Sequence, residues 1–457
     1  MIAALAAGKA AAGASRLLRR GGGSSLPGVV ARRIDPDVLT SLTVGQGIPV
    51  VAVTGSNGKT TTARFLAAFL RAEGVQVAQN SAGANLLQGL TSLAVGTASL
   101  RGRMPDAIMV AEIDEAALRL AAPEVVPRVL VVTNVFRDQL DRFGEIYAVA
   151  GVIDKVAQGL DAQAVLVVNA DDPMVCDLAP QRPGRRITYG LELSHDLDRL
   201  SSAADSIRCP RCRSELEYAH VYLSHLGEYH CPSCGFSRPP LDVAVTKVEI
   251  DGLRGTRCTV RIPDGQLELS IPQAGVHIAY DAAAAVAGAL ALGVALDHGE
   301  SALQGLRPAF GRLEVIDAGE CEIVLSFAKN PTSFNTTLRT LAEAGEPRHL
   351  LVAVSNTRVD GEDFGWLWDV DFEGVVPRLV DVTVSGLRGD ELATRLKYAG
   401  LDESRMTVVD ELDAALNRAL DETPNGERLV VLAGYTPTIQ LRELMQRRGW
   451  VGRYWQT

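Results

Sequence analysis

At 457 residues the chain has room for about three domains of ~150 residues each. It is 47% hydrophobic and 22% charged, as globular proteins are, and a net charge of −10 with only 5% aromatics argues against a nucleic-acid-binding surface. Seven cysteines, four of them in two Cys-x-x-Cys pairs, exclude a disulfide scaffold and point to metal in a reducing compartment.

The N-terminus, Met1 to Lys9, lacks the basic start of a secretion signal, and Arg16, Arg19 and Arg20 follow the apolar residues instead of preceding them. A short amphipathic helix is expected, either packed on the protein or lying on a membrane surface. No run of eighteen apolar residues predicts a membrane span. Gly21 to Ser25 reads as a joint, and Leu26-Pro-Gly28 opens a segment ending near Gly47.

Val50-Val-Ala-Val-Thr-Gly-Ser-Asn-Gly-Lys-Thr-Thr-Thr62 dominates the sequence. Its apolar start predicts a buried strand, Gly55 and Gly58 a tight turn, and Thr60 to Glu73 a helix with an apolar face. This is the build of a phosphate-binding loop. Glycines admit backbone N–H groups to phosphate oxygens, Lys59 reaches the terminal phosphates, and the Thr60 hydroxyl suits Mg²⁺. Val53 stands where the general loop has its first glycine, so this is a shorter variant.

Further strands are expected at Val75–Ala78, Ala107–Ile113, Val129–Thr133 and Ala164–Val168, alternating with helical stretches. That alternation predicts a parallel α/β sheet, whose ligands sit at the carboxyl ends of strands. Lys59, Glu112, Asn134 and Asn169 all fall there. Glu112 is a natural Mg²⁺ carboxylate. Cys209-Pro-Arg-Cys212 and Cys231-Pro-Ser-Cys234 have the spacing of two knuckles holding one structural Zn²⁺, in an insertion of about 201–240. His220, His225 and His230 lie between them and are expected to be surface or packing residues.

Alternating apolar residues from Leu241 to Val260 predict antiparallel strands, and Asp281 to Leu292 is alanine-rich and helical. Arg312 suits a phosphate contact. A composition shift near Val315 opens a smaller α/β unit with strands at Ile323–Phe327, Leu350–Val354, Val380–Val384 and Leu429–Ala433, and helices at Gly389–Tyr398 and Thr438–Arg448. The domain division read here is 1–47, 48–314 and 315–457. Ser355 to Phe372 gathers two of the four tryptophans with four aspartates, which favours a binding or interface loop.

Taken together, Thr54-Gly-Ser-Asn-Gly-Lys-Thr-Thr61, Glu112, Thr133-Asn134, Asn169-Ala-Asp-Asp172 and Gly311-Arg312 resemble the Mur ligase family. The resemblance implies a central P-loop ATPase domain, here carrying the zinc ribbon, and a C-terminal Rossmann-like domain. It implies ATP, Mg²⁺ and a nucleotide set of Gly55, Asn57, Gly58, Lys59, Thr60, Thr61, Asn134, Asn169, Asp172 and Arg312. Lys59 and Glu112 serve phosphoryl transfer to a carboxylate. Leu26-Pro-Gly28, Gly83-Ala-Asn85, Glu112-Ile-Asp-Glu115, the run Phe136 to Ile146, Ala328-Lys-Asn-Pro331, Asp360 to Trp366 and the four cysteines resemble the amidating branch of that family. Its members work with a GatD-like glutaminase and amidate the α-carboxylate of D-glutamate in the lipid II stem peptide, in the cytoplasm at the membrane's inner face. The branch supplies a carboxylate to the glutaminase in trans. The matching position is Asp363, with Asp360 second, flanked by Trp366 and Trp368 as anchors.

The chain departs from the family pattern at several positions. Gln139 replaces a metal-binding His, and Ser326-Phe-Ala-Lys-Asn-Pro331 replaces an Asp-Tyr-Ala-His-Asn-Pro that binds an incoming amino acid. Loss of that Asp suits ammonia. Ser355-Asn-Thr replaces Asn-Asp-Asn, and Ile278 and Asp281 replace asparagines. The alternative is a ligase that adds an amino acid, of the Mur or folylpolyglutamate type.

Overall fold

The structure, a computed structural model, describes residues 1–17, 25–80, 83–137, 146–198, 200, 205–306, 311–346, 348–357 and 360–452. The glycines of the expected joint and the stretch 138–145, with Gln139, lie outside these residues.

The first half builds β1 (Val50–Thr54), β2 (Val77–Gln79), β3 (Ile108–Glu112), β4 (Val129–Val132), β5 (Val165–Asn169) and β6 (Arg186–Leu191). A hairpin of β7 (Glu217–Leu223) and β8 (Leu226–His230) follows, then β9 (Val243–Asp251), β10 (Gly255–Ile262) and β11 (Gly265–Ile271). The nine-stranded sheet runs β11-β10-β9-β6-β5-β4-β1-β3-β2. Pairings from β2 to β9 are parallel, while β9, β10 and β11 form an antiparallel meander.

Both faces of this sheet are covered, which is why β1 reads as an unbroken apolar run. Val51 and Val53 point into one core with Phe65, Phe69 and the alanines of the helix Val276–Ala291. Val50 and Ala52 point into the other, with Leu90, Leu118 and Ile153. The first helix, Ile2–Leu17, joins that second core through Ala4 and Leu5, so it packs on the protein, with Met1 and Ile2 exposed. In Leu26-Pro-Gly28 the glycine is sterically required. A Cβ on Gly28 would lie 1.9 Å from the Gln88 carbonyl oxygen, where the helices Leu26–Ile34 and Leu87–Thr97 cross.

The second sheet contains β12 (Glu314–Asp317), β13 (Glu322–Phe327), β14 (His349–Ala353), β15 (Asp381–Ser385), β16 (Met406–Val408) and β17 (Arg428–Ala433), in the order β12-β13-β17-β14-β15-β16. All pairings are parallel except β12 with β13. Glu314, read as the end of the central region, already pairs with Leu325 in this sheet. The last helix starts at Tyr435, three residues before the expected Thr438. A residue distant in sequence supports that extra turn: Asp360 Oδ1 accepts from the Thr436 amide at 2.8 Å.

Candidate active site

Register puts the site at one edge of the first sheet. Val53 pairs with Glu112 and Thr54 with Val132, so the polar residues that end β1 and β3 lie beside Thr133 and Asn134, which follow β4. Between β1 and the helix Lys59–Ala72 the chain turns through Gly55 (φ 126°) and Gly58 (φ 82°). Neither tolerates a side chain: a Cβ would lie 2.2 Å from Thr133 Oγ1 at Gly55 and 2.1 Å from Asp281 Oδ1 at Gly58. Neighbouring strand ends brace the turn. The Ser56 amide donates to Asn134 O (2.8 Å), the Asn57 amide to Asn134 Oδ1 (2.9 Å), and Thr133 Oγ1 to Asn57 O (2.7 Å).

Lys59 is buried, and its Nζ lies 3.2 Å from both Glu115 oxygens and donates to Gly55 O. Burial pushes the Glu115 carboxyl above its ordinary range, while the charges of Lys59 and Lys329 pull it back. One residue on, Thr60 Oγ1 donates to Glu112 Oε2 at 2.8 Å. The other Glu112 oxygen accepts from Asn85 Nδ2 at 3.3 Å, and Asn80 clamps the Glu112 backbone on both sides. Asp114, the third acid of the group, caps its own helix through the Ala116 amide. So the two residues expected to hold Mg²⁺, Thr60 and Glu112, meet, and their hard oxygens suit that ion.

Thr61 is buried in the same helix. Asn134 sits against the loop. Asn169 and Asp172 are fully buried and engaged internally. Asn169 Nδ2 donates to Thr133 O, and Asp172 accepts from the Val135, Met174 and Val175 amides. They shape the wall behind the loop and present no open polar group to a nucleoside, unlike the expectation of direct contact. The reason is local: Asp172 is the N-cap of the short helix Pro173–Cys176. Asp281, which stands where the family pattern has an asparagine, is pressed against Gly58. Its carboxyl is pushed well above the ordinary range by burial, with Arg312 opposing. Burial likewise lowers the Arg312 pKa, against the charges of Asp281 and Glu112.

The second sheet closes on this edge. Asn330, the N-cap of the helix Pro331–Glu343, reaches Asn57 Oδ1 through its Nδ2 at 3.3 Å. Arg339 pairs with Asp198 at 2.6 Å, and Arg137 with Asp369 at 3.2 Å. Ser326 is buried and faces Thr337 Oγ1 at 3.5 Å.

Away from the loop, Cys209, Cys212, Cys231 and Cys234 bring their sulfurs within 4.8 Å of one another. Bonds of about 2.3 Å to a tetrahedral Zn²⁺ imply S···S edges of about 3.8 Å, so the four thiolates fit that ion. Each pair sits on the same turn. The amides of Cys209 and Cys231 donate to Ser214 O and Phe236 O, and those of Arg213 and Gly235 donate back to Cys209 O and Cys231 O. Both Arg213 and Gly235 have positive φ, 66° and 75°.

In the 360–371 loop, Asp363 is exposed and accepts from the Gly365 amide at 2.9 Å, whereas Asp360 is buried at the start of the last helix. Trp368 is exposed beside Tyr398. Trp366 differs from the expected surface anchor. It packs against Phe334 of the helix Pro331–Glu343 and against Phe364, with ring centroids 5.4 and 5.7 Å apart.

The Mur ligase middle domain matches residues 53–231, and the MurT ligase C-terminal domain matches residues 327–438. The subunit MurT of lipid II isoglutaminyl synthase (glutamine-hydrolyzing) from Streptococcus pneumoniae is 34% identical over 436 residues, 94% of each chain. The chain belongs to the MurT family. It is a ligase. The MurT subunit of Staphylococcus aureus is 30% identical over 429 residues, 93% of each chain. Among solved structures, a type C pseudomurein peptide ligase from Methanothermus fervidus has a TM-score of 0.67 at 22% identity, covering 88% of this chain and 79% of its own. A Mycobacterium tuberculosis folylpolyglutamate synthase has 0.64 at 15%, covering 91% and 96%. These likenesses establish the Mur-ligase-like fold around the MurT-family site.

Sequence reasoning did not single out Glu115, Asn80, Asn85 or Asn330 as members of this site. Glu115 had a signal, since it closes the acidic group after β3. Asn85 and Asn330 stand in motifs that carry the resemblance, Gly83-Ala-Asn85 and Ala328-Lys-Asn-Pro331, but the contacts of all three asparagines depend on which loops fold over Glu112 and Asn57.

Proposed function

We propose that this chain is the synthetase subunit of a glutamine-dependent amidating enzyme. Its acceptor in this reading is the α-carboxylate of D-glutamate in the stem peptide of lipid II, which becomes D-isoglutamine. The carboxylate oxygen attacks the γ-phosphorus of ATP, the bond to the β-phosphate oxygen breaks, and ADP leaves. Ammonia then attacks the acyl carbon of the acyl phosphate, phosphate leaves, and the amine nitrogen loses a proton. Lys59 and the Gly55–Thr61 backbone are assigned to the transferring phosphoryl group, and Arg312 to a phosphate or the nucleotide. Thr60 and Glu112 would hold Mg²⁺, which offsets phosphate charge when bound. Cys209, Cys212, Cys231 and Cys234 would hold a structural Zn²⁺. Asn134, Asn169 and Asp172 set the shape of the loop.

The observation that carries the reading is the 2.8 Å Thr60–Glu112 contact directly after the phosphate loop, in a chain whose relatives are named as isoglutaminyl synthase subunits over nearly their full length. Ser326 supports ammonia as the nucleophile. Where an amino-acid-adding ligase has a carboxylate, this chain has a buried hydroxyl facing its own helix. The division into 1–47, 48–314 and 315–457 is proposed with Glu314 moved into the last domain, where it pairs with Leu325. A GatD-like glutaminase partner and a cytoplasmic site of action at the membrane surface are proposed as well.

The fold likeness to folylpolyglutamate synthase keeps amino-acid addition as the second reading. Incubation with ATP, Mg²⁺, a lipid II acceptor and either ammonium or D-amino acids separates the two by product mass. The expected product replaces one hydroxyl by an amino group, with ADP formed one for one. A product carrying a whole added residue overturns the proposal, as does ATP hydrolysis indifferent to acceptor.

A further inference from the structure

The ribbon between β6 and β9 carries, besides its cysteines, an unusual buried histidine. His225 lies where β7 turns into β8, directly after Ser224 in the left-handed region (φ 56°). Its side chain has no exposure, and neither ring nitrogen has a hydrogen-bond partner. The turn is anchored from both sides: Tyr218 Oη donates to His225 O (3.0 Å), and the Gly227 amide donates to Asp171 O (3.0 Å). The ring packs on Phe136, centroid to centroid 4.6 Å, and Nε2 is 3.6 Å from Asp172 Oδ2.

What lies beyond that contact gives it meaning. The Phe136 amide donates to Ser56 Oγ (2.9 Å), and Ser56 Oγ donates to Phe136 O (3.1 Å). Asp172 Oδ2, beside the imidazole, accepts from the Val135 amide (2.8 Å). The tip of the ribbon therefore rests on the segment 135–136 that holds the phosphate loop from behind. A ring in van der Waals contact fixes where that segment can lie.

We propose that His225 is a positioning residue for the nucleotide site, a wedge by which the four-cysteine ribbon sets the conformation of Ser56 and its neighbours. The inference rests on the assignment of nucleotide to the phosphate loop. It gives the ribbon a role beyond its own stability and absorbs Phe136, which opens a motif the chemistry leaves unused. Since neither nitrogen makes a hydrogen bond and the Asp172 carboxylate stays 3.6 Å from Nε2, ring volume is what matters, and phenylalanine should substitute where alanine cannot.

The test is titration of full-length wild type, His225→Ala and His225→Phe with a non-hydrolysable ATP analogue and Mg²⁺, alongside zinc content and amide exchange. His225→Ala should keep the wild-type zinc content, bind nucleotide about tenfold more weakly, and exchange faster at the Ser56 to Lys59 amides. His225→Phe should bind close to wild type. Phe136→Leu, which removes the other ring, should weaken binding in the same direction and covers the case of a His225→Ala chain that fails to fold. Wild-type affinity in a folded His225→Ala, or equal weakening in both His225 variants, overturns the inference. A wild-type chain that binds no nucleotide overturns the parent assignment instead.

Discussion

At Lys59, a buried cation faces a buried carboxylate whose own pKa burial has raised. Removing one member of a buried pair normally leaves a costly uncompensated charge. Desolvation pushes the Glu115 pKa up, and loss of the Lys59 charge pushes it further the same way, so uptake of a proton would lessen that cost. Lys59→Ala should therefore fold with little loss of stability and still lose acceptor-dependent ATP hydrolysis by at least about a hundredfold, the scale of deleting one preorganised charge-stabilising donor. Adding Glu115→Gln should change the melting temperature of that variant little, since the neutral acid and the amide are near isosteres. Thermal melts and turnover on the same two preparations check both halves. Near-wild-type turnover in a folded Lys59→Ala would remove the lysine from phosphoryl transfer.

Elements differ in how much of them the sequence discloses. The strand–turn–helix around Gly55 and Gly58 was legible because both glycines are fixed by sterics and β1 by two-sided burial, which leave local marks. The cysteine ribbon was legible because thiolate spacing encodes a tetrahedron. Two things were not. Asn169 and Asp172 look like open polar residues in sequence, and only the packing of β4 against β5 shows that Asn169 donates to the Thr133 carbonyl and Asp172 accepts from the Val135 amide. Trp366 looks like a surface anchor, but it packs on Phe334 of a helix about thirty residues upstream. The ribbon itself makes a measurable prediction. Buried Cys209 and Cys231 lie with Tyr229 and Phe236 in a small cluster apart from the main cores, too small to fold unaided. Metal binding should contribute on the order of 10 kcal/mol to it. Metal analysis should find about one zinc per chain. Cys231→Ser should lose it and open the 205–240 region to protease while the second sheet stays protected. A full zinc complement in Cys231→Ser, or uniform protection, would contradict this.

The molecule as a whole has its two sheets in contact at the phosphate loop, through Asn330 on Asn57 and Arg137 on Asp369. Asp369 belongs to the loop that also carries Asp363, so one segment of the second sheet's domain faces the nucleotide side at one point and solvent at another. A partner glutaminase needs a Cys nucleophile and a His base, and a carboxylate commonly orients that His. Asp360, the second choice for supplying it, is already committed to the Thr436 amide and the Thr357 hydroxyl. Asp363 is exposed, and its recorded bond to the Gly365 amide engages only Oδ1. Exposed Trp368 and Tyr398 lie on the same domain and offer aromatic area for a protein partner. Asp363→Asn keeps the size of the side chain and the oxygen that caps Gly365, and removes the charge. In the complex it should lower glutamine-driven amidation by about 10⁴-fold, the scale of an orienting carboxylate replaced by its amide. Amidation with added ammonium should continue at nearly the wild-type rate, because Lys59, Thr60 and Glu112 are untouched. Equal loss with both nitrogen sources would assign Asp363 to the synthetase site or to the fold. No loss with either would remove it from the partner's catalytic group and leave the loop's aspartates with capping roles alone.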